Sequence, residues 1–316
     1  MCSAKTKRDE ARRENADARD AMSTNTNAST ATVQRRRALF ERHDLTDNYT
    51  KHGLPTWAMN SFTAFLAVIL DPKFPCTFAA PGFWRGLYRF AFVPDPRAPH
   101  CAEELSVVME EYLGWLATLP REDEPYAVLM VFCAPIGDVG EDVYRTAFEK
   151  LLRDTNLHDA APWPTHIPQH PDDVKSTFCF GGREIFVNAN TPSHHHRHSR
   201  NLGPSLTLVI QPRDAFDKIA SKHMREGIRA RIPKFDGGMP ASPEIGAFGD
   251  EKNREWRGYL LSDTNDKAAE RIAAAKLCPF LAASDAAKRA SRCPFHRAVA
   301  FFKKLQHRVA TFLHLY

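Results

Sequence analysis

The middle of the chain contains a continuous apolar run that reads Tyr126-Ala127-Val128-Leu129-Met130-Val131-Phe132-Cys133-Ala134. The run has the length of a strand and no alternation between apolar and polar residues, which predicts a central strand covered on both faces. Two further segments, Leu87–Val93 and Leu206–Gln211, also have the composition of strands. The sequence therefore predicts a sheet with its centre at this run.

Other patterns place helices and turns around these strands. Helical spacing of apolar residues is found in Pro55–Leu70, Glu103–Leu119, Glu141–Asn156, Asp214–His223 and Met224–Arg231. A hairpin is predicted where Gly181-Gly182 separates Thr177–Phe180 from Glu184–Ala189. Phe74–Ala79 is predicted as a turn or short extended piece, and Trp256–Leu261 as a last short strand. Strands and helices mix without a regular βαβ repeat, so the predicted class is α+β, with a mixed, mainly antiparallel central sheet flanked by helices.

The charges divide this chain of 316 residues into three parts. Residues 1–38 carry a net charge of +4, residues 266–316 carry +7, and the 227 residues between them carry −6. An acidic body offers no basic groove for a phosphate backbone, so nucleic acid is not an expected partner. We predict a disordered basic arm over residues 1–38, a folded body over 39–265, and a basic helical extension over 266–316.

The composition also excludes several protein classes. The apolar runs are shorter than the roughly 18 residues that a membrane span needs, and no apolar signal-peptide core is seen at the N-terminus. Seven cysteines without a tight framework are atypical of a disulfide scaffold, so a reducing cytoplasm is the expected location. The patterns of phosphate-binding loops, dinucleotide-binding folds, zinc metalloproteases and nucleophile elbows are absent from the sequence.

A histidine-rich loop, Asn190–Asn201, is the densest group of candidate functional residues. It contains His194, His195, His196, Arg197, His198 and Arg200. Neutral imidazole binds zinc, iron or haem iron, and arginine binds carboxylates such as the haem propionates. A solvated polar loop without a ligand is the alternative interpretation.

A second feature is the triplet Cys-Pro-Phe, which occurs at Cys278-Pro279-Phe280 and at Cys293-Pro294-Phe295. A thiolate before proline can bind haem iron, zinc is the other option, and a reduced turn residue is the alternative without a ligand. Cys76, between Pro75 and Thr77, is open to the same interpretations. The basic amphipathic helix predicted over residues 296–316 either docks on the acidic body or contacts a membrane surface or a partner.

Three segments, taken together, resemble the YqcI/YcgG family. The first is Phe74-Pro75-Cys76-Thr77-Phe78-Ala79. The second comprises Asp159-Ala160-Ala161-Pro162-Trp163-Pro164, Pro171-Asp172-Asp173 and Phe178-Cys179-Phe180-Gly181-Gly182. The third comprises Ile185-Phe186-Val187, Asn190-Thr191-Pro192-Ser193-His194, Ser199-Arg200 and Leu208-Val209-Ile210-Gln211-Pro212-Arg213. The family tends to close with Cys-Pro-Phe, and the resemblance covers roughly residues 50–295.

This resemblance implies a haem-dependent monooxygenase that N-hydroxylates a guanidine or amine nitrogen of a small, polar, arginine-like substrate. Haem b would be the iron cofactor, and the electron donor is unknown. Arginine-type members of the family carry His-Pro and Arg-Arg at the positions where this chain reads Thr191-Pro192 and Ser199-Arg200.

Several site residues follow from the resemblance as expectations. His194 is the expected iron ligand, with His195 and His196 as the next candidates. Cofactor binding is expected at Cys76, Arg197 and Arg200, and the two arginines could hold the haem propionates or a substrate carboxylate. Substrate binding is expected at Glu103 and Asp214, because a guanidinium group needs a carboxylate partner, and at Arg213, which could bind the substrate carboxylate.

Two other functions are compatible with the same residues. A haem sensor or carrier would bind haem through the Cys-Pro motifs, so that Cys278 and Cys293 rather than His194 would be essential. A zinc-binding interaction module would use the histidine-rich loop and would contain zinc without iron.

Overall fold

The predicted central strand lies within a five-stranded sheet in the computed structural model, which describes residues 38–47, 49–170 and 172–274. The strands, numbered along the chain, are β1 (Tyr88–Val93), β2 (Val128–Cys133), β3 (Cys179–Phe180), β4 (Arg183–Asn190) and β5 (Thr207–Pro212). All six residues of β2 are buried. The prediction of a strand covered on both faces is therefore confirmed.

The order of the strands across the sheet is β1-β2-β5-β4-β3. β2 pairs in parallel with β1, whereas β2–β5, β5–β4 and β4–β3 are antiparallel. This arrangement confirms the α+β class with a mainly antiparallel sheet. Because β1, β2 and β4 run in the same direction, their carboxyl ends lie at one edge of the sheet. The histidine-rich loop leaves β4 at this edge.

Eight α-helices lie in the part of the chain that the structure describes. They are α1 (Arg42–Thr46), α2 (Thr56–Ile69), α3 (Ala79–Trp84), α4 (Cys101–Leu116), α5 (Glu141–Leu157), α6 (Arg213–Ile219), α7 (Lys222–Phe235) and α8 (Asn265–Ala274). The helices predicted at α2, α4 and α5 are confirmed to within a few residues. None of the described helices combines the length and the apolar character that a membrane crossing requires.

The helices cover the sheet on both faces and form two apolar clusters. On one face, α4 and α5 pack against β1, β2, β4 and β5 in a cluster that includes Met109, Phe148 and Val131. On the other face, α2 and α3 cover β1 and β2, and the ring centroid of Phe65 lies 5.8 Å from that of Phe132. The rings of Phe65 and Phe90 meet edge to face with their centroids 6.0 Å apart, a favourable geometry for aromatic pairs.

The prediction of a strand at Trp256–Leu261 is wrong. Glu255–Gly258 forms a 3-10 helix, and the residues that follow are irregular although Tyr259, Leu260 and Leu261 are buried. These residues are apolar because they are buried, and not because they form a strand. Partners from several elements satisfy their carbonyl oxygens, so no neighbouring strand is needed.

Two other boundaries differ from the sequence prediction. The break between α6 and α7 falls at Ala220 and Ser221, because the Ser221 hydroxyl accepts a hydrogen bond from the Met224 amide and caps α7. Phe74–Ala79 is a turn region, and helix α3, which the sequence analysis did not predict, begins at Ala79.

Some predicted features lie outside the described residues. These are residues 1–37 of the predicted arm, both Cys-Pro-Phe triplets and the helix predicted over 296–316. Helix α8 covers the start of the predicted extension. Its Ala268 is fully buried, and Arg271 donates a 2.6 Å hydrogen bond to the Glu244 carboxylate, so α8 packs on the body.

Candidate functional site

The histidine-rich loop is closed on itself by hydrogen bonds between its two ends. The amide of Thr191 donates to the carbonyl oxygen of Arg200 at 3.0 Å. The side-chain amide of Asn201 donates to the carbonyl oxygens of Pro192 and His194 at 3.3 and 3.2 Å. These bonds fix the loop backbone at the edge of the sheet, so each side chain within it has a defined direction.

His194, the expected iron ligand, is fully buried, and both of its ring nitrogens have partners. Its Nε2 lies 2.9 Å from the Leu261 carbonyl oxygen, which can only accept, so Nε2 carries the proton. Its Nδ1 then accepts from the Thr191 hydroxyl at 2.8 Å. Burial lowers the pKa of His194 and keeps the ring neutral. In this arrangement neither nitrogen has a lone pair free for a metal.

Arg197 is buried and ties the loop to the segment 240–265. Its guanidinium donates to Ser262 O at 3.0 Å, to Asn265 Oδ1 at 2.7 Å and to Pro240 O at 3.4 Å. Burial also lowers the pKa of this side chain. Arg197 was expected to hold a propionate or a substrate carboxylate, but protein groups occupy its donors here.

His196 has the opposite environment to His194. Its side chain is 65% exposed, and its Nδ1 lies 2.8 Å from Asp263 Oδ2. Burial on its own would raise the pKa of Asp263, but hydrogen bonds from the His196 ring and from the amides of Arg197 and His196 lower it to about 2. His195 is exposed, and its ring has no hydrogen-bond partner among the described residues.

Arg200 is half-buried and has few protein partners. Its Nη1 donates to the Asn188 side-chain oxygen, and no carboxylate among the described residues forms an ion pair with it. Burial and the nearby Arg197 charge lower its pKa to about 10, so the group stays charged at neutral pH. Arg200 therefore retains N–H groups that can bind an anion.

Cys76 lies close to Arg200, although the two residues are far apart in the sequence. Burial raises the pKa of the Cys76 thiol, while backbone amides of Phe78 and Ala79 and the charge of Arg200 act in the opposite direction. The tertiary structure thus brings together two of the residues that the sequence analysis associated with the cofactor.

The sheet face next to Arg200 is only partly covered. Asn188 and Val209 are cross-strand partners on β4 and β5, and both are half-buried although they lie on interior strands. Beside them, Phe186 stacks on Phe216 of α6 with ring centroids 5.4 Å apart. We call these residues, together with Cys76 and Arg200, the sheet-face site. It presents apolar and aromatic side chains together with a few polar groups, which is the composition typical of small-molecule sites.

The three residues expected to bind substrate have other partners, although Arg213 and Asp214 lie on α6, the helix that also carries Phe216. Glu103 is in the first turn of α4, which packs on the opposite face of the sheet. Asp214 forms a 2.9 Å ion pair with Arg183. Arg213 is buried, pairs with Glu255 at 2.5 Å and lies 3.8 Å from the centre of the Phe248 ring. No contact in the described residues links Asp214 or Arg213 to Arg200.

Sequence reasoning did not single out Asn188 or Asp263. A signal existed for Asn188, because a polar residue within an apolar strand marks a face that is not fully covered. No local signal existed for Asp263, since its partner His196 is 67 residues away in the sequence.

Comparison with known proteins places this chain among its relatives. The model of the YqcI/YcgG family matches residues 65–281, which include Cys76, the histidine-rich loop and the first Cys-Pro-Phe triplet. The chain belongs to the YqcI/YcgG family. This membership confirms the resemblance noted in the sequence.

Three curated proteins are similar to this chain over most of their own length. The uncharacterised protein YqcI of Bacillus subtilis strain 168 is 33% identical over 254 residues, which is 77% of this chain and 94% of YqcI. The "Putative N(omega)-hydroxy-L-arginine synthase DcsA" of Streptomyces lavendulae is 30% identical over 233 residues, or 71% of this chain and 84% of DcsA. No solved structure matches the chain.

The haem expected from the YqcI/YcgG resemblance can be tested against the donor atoms of the loop. Haem iron needs one or two protein ligands rather than a cage. Within the described residues, no group of three or more His, Cys, Asp or Glu side chains could hold a metal ion. The loop does present one oriented imidazole, His196, and one half-buried guanidinium without an ion pair, Arg200. The donor atoms of His196 and Arg200 therefore fit a haem. Both ring nitrogens of His194 already have protein partners.

Proposed function

We propose that this protein hydroxylates a guanidine or amine nitrogen of a small, polar, arginine-like molecule. The observation that carries the proposal is the similarity to DcsA, whose name describes an N(omega)-hydroxy-L-arginine synthase. The proposed reaction inserts one atom of O₂ into an N–H bond. The other oxygen atom is reduced to water with two protons and two electrons from an external donor.

Haem b is the proposed cofactor. Side chains cannot activate O₂ for this reaction, and haem supplies that redox chemistry when it is bound. An imidazole of the histidine-rich loop would hold the iron, and Arg200 is suited to a propionate or to the substrate carboxylate. Residues of this chain bind and orient the substrate.

Arg200 is the residue we assign to an anionic group of the substrate. Its N–H groups have one neutral protein partner, Asn188, so a carboxylate would give it the ion pair that the described residues do not provide. The adjacent aromatic side chains Phe186 and Phe216 suit an aliphatic chain or the face of a guanidinium. An arginine-like molecule carries all of these groups.

The charge of the body also favours a cationic substrate. The 227 residues between the two basic ends carry a net charge of −6. A negative field raises the local concentration of a guanidinium compound by long-range attraction, with a strength that falls as salt is added.

The test is turnover by the full-length protein reconstituted with haem b. With O₂, an electron source and arginine, the expected product is arginine that has gained one oxygen atom, detected by mass spectrometry. The absorption spectrum and an iron assay confirm that haem is bound.

The proposal fails if haem-loaded protein gives no hydroxylated product from arginine or from a panel of guanidines and amines. Stoichiometric haem without turnover would favour the haem carrier. Stoichiometric zinc without iron would favour the zinc module.

A further inference from the structure

We propose that His196, held by the Asp263 carboxylate, is the ligand of the haem iron, in place of the buried His194. The inference rests on the proposed haem-dependent function and identifies the residue that binds the cofactor. The supporting observation is geometric: the Nδ1 atom of His196 contacts Asp263, whereas its Nε2 atom has no partner among the described residues.

The contact with Asp263 fixes the tautomer of His196. An ionised carboxylate is only an acceptor, so Nδ1, at 2.8 Å from Asp263 Oδ2, carries the ring proton. The lone pair of the neutral ring is then on Nε2, for which no partner exists among the described residues. Binding iron through Nε2 of this tautomer breaks no hydrogen bond among the described residues.

A histidine held in this way is typical of metal ligands. Such histidines commonly donate their second N–H to a carboxylate, which orients the ring and makes the coordinating nitrogen more basic. Asp263 is itself fixed, because it accepts from the amides of His196 and Arg197 at 2.9 and 3.0 Å. Its own amide donates to the Glu141 carboxylate at 3.1 Å. The ring is therefore oriented before any ligand arrives.

The other histidines of the loop lack this combination. His194 uses both ring nitrogens for Leu261 and Thr191. His195 and His198 are exposed, and no described residue makes a hydrogen bond to either ring. His196 alone in this loop has one nitrogen fixed by a carboxylate and the other facing outward.

The experiment measures haem binding and iron ligation in the full-length protein and does not depend on turnover. The probe is haem b, titrated into wild type, His196→Ala and His195→Ala, with absorption and electron paramagnetic resonance as readouts. We expect nitrogen ligation in wild type, at least tenfold weaker binding with a changed spectrum in His196→Ala, and no change in His195→Ala. Imidazole added to His196→Gly should restore the wild-type spectrum.

Asp263→Asn provides a second readout. It leaves the His196 ring in place but removes the negative charge behind it, so we expect the reduction potential of the iron to rise. Loss of the group that orients a metal ligand commonly costs about 10–100-fold in affinity. Circular dichroism and urea unfolding show whether each variant is folded.

The outcomes separate this inference from the proposed function. If His196→Ala keeps the affinity and spectrum of wild type, the inference is overturned while the function stands. If wild type binds haem through His196 but hydroxylates nothing, the function is overturned and the inference stands. Failure of wild type to bind haem b at all overturns both.

Discussion

Two arginines three residues apart in one loop have different partners. Arg197 gives its guanidinium N–H groups to carbonyl and amide oxygens of the segment 240–265. Arg200 has one neutral partner, Asn188, and no ion pair within the described residues. Because an unpaired half-buried cation favours an anion, we assign Arg200 to ligand binding and Arg197 to holding the loop.

We predict that Arg200→Gln raises KM for arginine, because the substrate carboxylate loses a charged hydrogen-bonding partner. Charged hydrogen bonds contribute about 1.5–3 kcal/mol, so the expected increase is about 10–100-fold. An arginine analogue without the carboxylate should show little change in KM. Steady-state kinetics with both substrates, on haem-loaded protein, provide the comparison.

Arg197→Gln is the matched control for this substitution. It should lower the free energy of unfolding by about 2–4 kcal/mol, because buried acceptors lose their donor. An equal loss of affinity for both substrates in Arg200→Gln would contradict the assignment of its guanidinium to the carboxylate.

Glu255 gives the protein a pH-dependent stability. Its carboxyl is buried beside Arg213, and burial outweighs this neighbour and raises the pKa of Glu255 from 4.5 to about 7. Between about pH 4.5 and about pH 7, Glu255 therefore keeps its proton in the folded state but has lost it in the unfolded state. The contribution of Glu255 to stability is fully present below about pH 4.5, falls as the pH rises, and is lost above about pH 7.

We predict that Glu255→Gln removes this contribution. The free energy of unfolding of wild type relative to the variant should fall by at most about 3 kcal/mol between about pH 4.5 and about pH 7. Urea unfolding across this range measures the difference, and the exposed Glu251→Gln is the control. Parallel pH profiles for wild type and Glu255→Gln would refute the prediction.

At the scale of elements, the β3–β4 hairpin depends on two glycines with different surroundings. Gly181 and Gly182 have φ values of 62° and 73°, as a two-residue type I′ turn requires. A Cβ atom on Gly181 would overlap Leu113 of α4, whereas one on Gly182 would lie 3.9 Å from Ala161. Gly181 is thus needed for two reasons: the Leu113 side chain lies too close for a Cβ atom, and the φ angle is positive.

We therefore predict unequal costs for two similar substitutions. Gly182→Ala should lower the free energy of unfolding by about 1–2 kcal/mol, the usual cost of a left-handed alanine. Gly181→Ala should cost about 1–3 kcal/mol more, because the added methyl group overpacks the contact with Leu113. Chemical denaturation of both variants gives the difference, and equal costs would show that Leu113 moves aside freely.

At the scale of the whole molecule, the two ends of the chain differ from the body in composition. Residues 1–38 contain no Leu, Ile or aromatic residue, whereas Phe40 and Leu45 are buried. Phe40 also exchanges backbone hydrogen bonds with Phe90 of β1 at 2.8 and 2.9 Å. Contacts essential to the body thus begin within a few residues of position 38.

We predict that deletion of residues 1–37 leaves haem binding and the free energy of unfolding unchanged. Deletion of residues 1–45 should destabilise the body by several kcal/mol, because it removes two buried apolar side chains and the pairing with β1. Haem titration and urea unfolding of both truncated proteins test this. Loss of haem binding in the shorter deletion would assign a role to the arm.

The sequence by itself determined the central strand, the hairpin, the α+β class and the family. These depend on local periodicity, turn glycines and residue composition, which neighbours along the chain supply. It also predicted that the candidate cofactor-binding residues lie in the histidine-rich loop and at Cys76.

Only the tertiary structure decided which of those residues have atoms free to bind a ligand. His194 and His196 differ because Leu261 and Asp263, each 67 residues further along, reach different nitrogens of their rings. Likewise, Trp256–Leu261 has the composition of a strand but forms the end of a 3-10 helix and an irregular segment, because groups from distant parts of the chain satisfy its carbonyl oxygens. Hydrogen-bond partners at such separations leave no local pattern in a sequence, since packing of the whole chain sets them.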